Sequence, residues 1–290
     1  MAMTKVQQEL WAKEIIALFE TDLWATRVCN TNLIQGTGSN ADIWHITAAA
    51  AVSTADVNDA VDLTYAATTD TETQVTVNFD KAFSLINYDT VKSEAAMNYF
   101  QTYAKRGAYQ LMDDLDTDIL LDSYAAAGTV FDNGGTDWQF TKDTCAEIPA
   151  FFGKLSKVAK DNDWPSNMEK YAIVPSGMLE AIITYTGGKD SAFGDSVLTQ
   201  GLNNAFVYAG WNIFVSNNCT TESSTTHGVA GLVGDGIALG MQIDPSSIES
   251  MRAEGKFGDL IRGRMKAGHK VYRSDSVVDI EFNSTVVSTT

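Results

Sequence analysis

Few stretches of this chain place reactive side chains at spacings that chemistry can use. Gly36-Thr37-Gly38-Ser39-Asn40-Ala41 has the form of the dinucleotide fingerprint G-x-G-x-x-G/A. That loop works when a strand precedes it and a helix N-terminus follows, so that backbone N–H groups meet a pyrophosphate. Here Asp42-Ile43-Trp44-His45-Ile46 follows and reads as a strand, which makes the motif a Gly-rich turn. Asp114-Leu115-Asp116-Thr117-Asp118 opens like a calcium loop, but Ile119 stands where glycine is needed and Ala125 where glutamate is needed. His45, His227 and His269 are scattered, with no HExxH and no Cys–His spacing suited to a metal. No GxSxG or P-loop occurs, and Ser176 beside Gly177 lacks the strained elbow pattern. Asn218-Cys219-Thr220 and Asn283-Ser284-Thr285 have glycosylation-acceptor form, without a secretory signal to give it meaning. These residues define no catalytic site, no cofactor and no metal site, and the chain is expected not to be an enzyme.

The totals narrow the classes further. With 290 residues, the chain has length for one large or two ordinary domains with real cores. At 44% apolar and 10% aromatic residues it is globular in composition. A formal net charge of −17 opposes a surface that grips DNA or an anionic membrane, since either polyanion is repelled. Cys29, Cys145 and Cys219 are odd in number and widely spaced, which fits reduced thiols better than a disulfide framework. No run of about 18 apolar residues occurs, so no membrane span is expected. The start, MAMTKVQQELWAKEIIALFE, lacks the basic and apolar regions of a signal peptide.

What organises the chain is the stretch Asp89 to Gly128. Met97, Phe100, Ala104, Ala108, Leu111, Leu115 and Ile119 fall at steps of three and four and share one face of a long helix. Thr90 or Ser93 can cap its start and Gly128 can end it. Such a helix among short strands suggests a spine for an extended, plate-like subunit. Before it, residues 4–24 predict a helix with an apolar stripe of Leu10, Trp11, Ile15, Leu18, Phe19 and Leu23. Its stripe must dock on the chain's own core or on a neighbouring subunit. Residues 40–88 read as a two-stranded excursion, with Val75, Val77 and Phe79 alternating against Thr76, Asn78 and Asp80. A hairpin alone is marginal in water, so this one should lie on another surface.

Beyond the spine, the pattern predicts a helix over 142–162, a buried strand YAIVP and a helix SGMLEAIITY capped by Ser176. Two strands flank Gly210, residues 219–228 read as a loop, and strands close the chain at about 236–243, 257–273 and 277–282. Asp114, Asp118 and Asp122 lie at i, i+4 and i+8 and repel one another, which invites a cationic partner. Arg252, Lys256, Arg262, Arg264, Lys266, Lys270 and Arg273 supply 7 of the 20 basic residues. They either pair with such acidic faces, within or between subunits, or stand as an independently solvated face.

Taken in order, these pieces resemble the major capsid protein of tailed bacteriophages, the Hong Kong 97 fold. The resemblance covers almost the whole chain and rests on the series, not on one motif. It runs from the Trp-bearing N-terminal helix and hairpin to the Leu111–Leu121 run with its D-x-D-I-L ending. It continues through Lys157 to Pro165 and Tyr171-Ala172-Ile173-Val174-Pro175, then Gly210-Trp211-Asn212-Ile213-Phe214-Val215-Ser216-Asn217-Asn218. Phe257-Gly258-Asp259 to Lys270-Val271-Tyr272-Arg273 completes it. The implied fold class is α+β, with four parts: an N-terminal arm (1–39), an extended E-loop hairpin (40–88), a peripheral domain with the long spine helix and long strands (89–132 and 236–290), and an inserted axial domain (133–235).

The resemblance also implies a function: self-assembly into pentamers and hexamers of an icosahedral shell enclosing packaged double-stranded DNA, without specific DNA binding. Separate scaffolding, portal and decoration proteins are the implied partners. A scaffolding segment that some members carry is absent, removed or replaced by a separate protein. The location would be the virion, after synthesis and assembly in the host cytoplasm. The candidate inter-subunit contacts are Trp11, Trp24, Trp44, Val75, Val77, Phe79, Arg262 and Arg264, with core packing an equal alternative for each Trp. Some family members cross-link Lys to Asn; Lys81 lies in the hairpin region, with no Asn partner or catalytic Glu to match, and reads as an ordinary lysine. An encapsulin-like shell around cargo enzyme shares the fold and is the alternative, and a mixed α/β enzyme is a third reading that the missing catalytic constellation opposes.

Overall fold

The computed structural model describes residues 23–33, 43–49, 70–89, 99–141, 145–187, 205–243 and 248–288. Trp11, the stripe of the 4–24 helix before Leu23, and the Gly-rich turn at 36–41 lie outside them, as do residues 50–69.

A short helix α1 (Ala25–Val28) precedes the spine helix α2 (Tyr99–Ala125), which is 27 residues long and so about 40 Å. Ala104, Leu111, Leu115 and Ile119 are buried, as their spacing predicts; Met97 and the side chain of Phe100 are outside the described set. The acidic run at Asp114–Asp118 is helical throughout, so it forms a helix face and not a calcium loop. The chain leaves the helix at Gly128, whose N–H donates to the Ser274 carbonyl at 3.0 Å.

Two sheets meet under this helix. In the four-stranded sheet, β13 (Gly258–Val271) is central. The strand β3 (Phe79–Tyr88) runs along one side of it, from Phe79 opposite Ala267 to Tyr88 opposite Gly258. On the other side β12 (Ile248–Arg252) and β11 (Ile237–Ile243) follow one another. Residues 79–88, expected in the hairpin excursion, are thus integral to the sheet. The excursion itself is β1 (Ile43–Ala49) against β2 (Asp70–Thr76), in register from Ile43–Thr76 to Ala49–Asp70.

The eight-stranded sheet has the order β4 (Thr129–Phe131), β14 (Val277–Ser288), β10 (Thr225–Leu232), β6 (Lys170–Val174), β8 (Trp211–Val215), β7 (Ala205–Tyr208). Two more strands join it: β5 (Trp138–Thr141) pairs with β14 and β9 (Thr221–Glu222) with β10. The closing strand β14 therefore lies in the same sheet as the strands of 133–235. Residues 219–228, expected as a loop, contribute to the inner strand β10. Its Thr-Thr-His-Gly-Val-Ala-Gly-Leu carries no alternation because it is covered on both faces, and its glycines are required by close approach. A Cβ on Gly228 would stand 2.8 Å from the Ile173 carbonyl, and one on Gly231 the same distance from the Tyr171 hydroxyl.

The two faces of this sheet carry separate cores. On one, α3 (Ile148–Asp161) and α4 (Ser176–Gly187) bury Phe151, Phe152, Leu155, Met178 and Ile182 against Trp138, Phe140, Trp211, Ile280 and Phe282. On the other, Leu111, Leu115 and Ile119 of α2 pack on Tyr171, Ile173, Val229 and Val277, and also on Met265 and Ala267 of β13. The spine helix thereby joins both sheets into one body. No helix among the described residues is long and apolar enough to cross a membrane.

Candidate functional site

The residues expected to reach neighbours divide into two groups. Trp24 is 7% exposed: its ring stacks on Phe214 at 4.7 Å and its Nε1–H donates to the Val215 carbonyl at 3.1 Å. Trp44 and Val75 are buried with Ala238, where Val77 packs against them half-buried, and Phe79 lies in the core under α2. These side chains therefore spend their area inside this chain, fixing the arm and the root of the hairpin to its own body. A ring cannot fill a neighbour's pocket while buried at home, so Trp24, Trp44, Val75 and Phe79 act as internal anchors. Arg262 and Arg264 are the other group, with side chains 56% and 55% exposed on the outer face of β13.

The arm is locked by a buried carboxylate. Asp116 of α2 accepts from the Ala25 N–H at 2.7 Å, at the start of α1, and from Asn218 Nδ2 at 3.2 Å. Burial pushes its carboxyl above the ordinary range, against the lowering effect of these donors. Cys29 and Cys219 are free thiols nearby, and burial with the Asp116 charge pushes Cys219 up to about 12. A thiol so protonated is not a nucleophile near neutral pH.

The basic residues of the last segment find acids mainly on adjacent strands. Arg262 Nη2 meets Glu249 at 2.6 Å across β12–β13, and Arg264 Nε meets Asp80 at 2.7 Å across β3–β13. Hydrogen bonding from Arg264 holds the Asp80 carboxyl below its ordinary range. Arg252 pairs with Asp89 and Asp259, and Arg273 with Asp235. The acidic face of α2 instead receives Lys81, 3.0 Å from Asp114, and His269. The His269 Nε2 lies 3.0 Å from Asp122, yet out of line, and neither ring nitrogen completes a hydrogen bond. Of the two readings of this basic segment, pairing with the acidic helix or an independently solvated face, neither describes the arginines, because sheet register gives them nearer acids. Lys81, beside Asp114 and over the Phe79 ring at 5.3 Å, is a paired surface lysine.

Periodicity gave no sign of Phe257, the most exposed large apolar side chain among the described residues. At the end of the four-stranded sheet where β12 turns into β13, Phe257 is 84% exposed, with Met251, Leu85 and Tyr88 also exposed close by. The strand β7 closes the eight-stranded sheet at one edge with Val207 exposed. Two of the three histidines also have partners that spacing could not reveal: His45 meets Glu72 across the hairpin, and His227 meets Asp279 across β10–β14.

No protein-family model and no curated protein matches the sequence. The structure does have counterparts among solved ones. A structure from Mycobacterium phage Che8 superposes with a TM-score of 0.78 at 21% identity, covering 96% of this chain and 98% of that one. The capsid structure of cyanophage P-SCSP1u gives 0.69 at 13% identity, over 98% and 94%. The mature capsid of bacteriophage PhiM1 gives 0.67 at 11% identity, over 96% and 92%. From arm root to closing strand, this chain has the fold of tailed-phage capsid subunits, the Hong Kong 97 fold.

Proposed function

We propose that the chain is a major capsid protein, whose copies assemble as pentamers and hexamers of an icosahedral shell around packaged double-stranded DNA. The observation that carries this reading is the likeness to phage capsid subunits over nearly the full length of both chains. The distribution of side chains supports it. The Phe257 end of the four-stranded sheet and β7, the edge strand among the described residues, offer apolar area and strand backbone that a neighbour can cover. Arg262 and Arg264 stand exposed on the outer face of the four-stranded sheet and give a contact its register. Each contact is moderate, and closed symmetry turns many of them into a stable shell. A net charge of −17 confines DNA without gripping its phosphates. Scaffolding, portal and decoration proteins are separate partners in this scheme, and assembly takes place in the host cytoplasm before the protein becomes part of the virion.

Negative-stain imaging of the purified chain tests the proposal. Closed particles of uniform diameter are the expected result. A monodisperse monomer under all assembly conditions overturns it, and protein cargo in place of DNA in native particles points to an encapsulin-like compartment.

A further inference from the structure

Below the C-terminal end of α2, the sheet face changes from apolar to ionisable. His227 of β10 stands directly opposite Glu281 of β14, with Asp279 two positions away on the same face. The His227 Nδ1 lies 3.1 and 3.0 Å from the two Asp279 oxygens, and one donor atom from each of the three residues lies within 4.8 Å of the others. The site is built, not merely exposed. The side chain of Asp279 is 5% exposed and that of His227 is 11% exposed. Tyr124 of α2 stacks on the imidazole at 4.1 Å and donates its hydroxyl to Glu222 at 2.6 Å, which fixes the ring plane.

The charge here is not balanced. Among the described residues, His227 is the only ion-pair partner of Asp279, and no ion pair involves Glu281. Two carboxylates and an imidazole in a poorly hydrated place describe a cation's ligand set.

We propose that His227, Asp279 and Glu281 bind one divalent first-row transition ion of the Zn2+ type. The imidazole nitrogen favours such an ion over calcium or magnesium, which take oxygen ligands. Around an ion with bonds of about 2.0–2.2 Å, neighbouring tetrahedral ligands stand roughly 3.4 Å apart. The His227–Asp279 pair already has nearly this spacing, so only the half-buried Glu281 has to close. The ion replaces the direct His227–Asp279 contact and crosslinks β10 to β14. It thereby pins the closing strand beside the strand of the 133–235 segment. This binding does not depend on shell formation and is read on the unassembled subunit.

The test is calorimetric titration of the metal-stripped full chain with Zn2+ alone, with melting temperature recorded in parallel. One Zn2+ per chain and a rise in Tm that EDTA reverses are expected. Glu281→Gln, at a half-buried position that tolerates an isostere, weakens binding roughly 10- to 100-fold. His227→Gln does the same. His45→Gln, which removes the exposed His45–Glu72 pair on the hairpin, leaves affinity unchanged. Absence of saturable binding overturns the proposal. So does binding that Glu281→Gln leaves intact, or binding that His45→Gln removes. If His227→Gln does not fold, the Glu281→Gln titration decides.

Discussion

The eight-stranded and four-stranded sheets use similar strands in opposite ways. The first is covered on both faces, by α3 and α4 on one side and α2 on the other, and its central strands are buried almost continuously. The second is covered on the α2 face, while its outer face carries Arg262 and Arg264 and its end carries Phe257. The faces of one sheet are finished within the chain. The other leaves charged and apolar groups that a second molecule can complete. Under the proposed shell reading, the doubly covered faces supply stability and the outer face and Phe257 end of the four-stranded sheet supply association, and substitutions can separate the two.

The largest effect on the subunit belongs to the finished sheet. Phe151 is fully buried among the rings of Phe131, Trp138, Phe140, Phe152 and Phe282. Phe151→Ala is expected to cost about 3–5 kcal/mol in urea unfolding of the unassembled chain. Gly228→Ala comes next: its Cβ meets a backbone carbonyl that cannot step aside, for a loss of about 1–3 kcal/mol by the same measurement.

The Asp116 latch between α2 and the arm ranks third and depends on pH. Because folding raises its pKa, the folded chain holds this proton more tightly than the unfolded one. Its contribution is complete below the unfolded carboxyl value of about 4 and is lost as pH rises through the raised folded value. Urea midpoints should therefore fall with rising pH in that window, and Asp116→Asn should flatten the dependence. The smallest effect on the subunit sharpens the comparison from the other side. Phe257→Ser, at a largely solvated position, should leave the urea midpoint unchanged while lowering the yield of closed particles in electron micrographs. A large loss of subunit stability from Phe257→Ser would break the division of labour between the sheets.

Much of the frame was legible in the sequence because it rests on local period. The 3.6 repeat from Ala104 to Ile119 marked the buried face of the spine, and alternation marked Trp211–Val215 and Val278–Phe282. β10 was not legible, since a strand buried on both faces and narrowed by glycine has neither period nor bulk. The break after Thr76 was also hidden. Val75, Val77 and Phe79 alternate in sequence, yet Val75 packs on Ala238 and Phe79 under α2. The chain changes sheets between them, and alternation is blind to such a change. The contact candidates suffered from a related limit. Aromatic residue type cannot say whether a ring is spent at home, and Trp24 and Trp44 are; Phe257, outside any periodic run, is left in solvent. The cluster at His227 depends on register across 52 residues of sequence separation, which no spacing rule within a strand could supply.

The break after Thr76 has a mechanical consequence. There the Asn78 side chain stands in for strand backbone, donating to the His269 carbonyl at 3.2 Å and accepting from the His269 N–H at 3.1 Å. Beside it, Trp44 lies so close over Gly268 that a Cβ there would come within 2.6 Å of the indole. The hairpin is thus a lever with a stiff fulcrum: its seven paired residues alone reach about 23 Å. A rotation of a few degrees at Asn78 sweeps its far end through ångströms, so the direction in which the hairpin points is set at its base, by one amide and one indole.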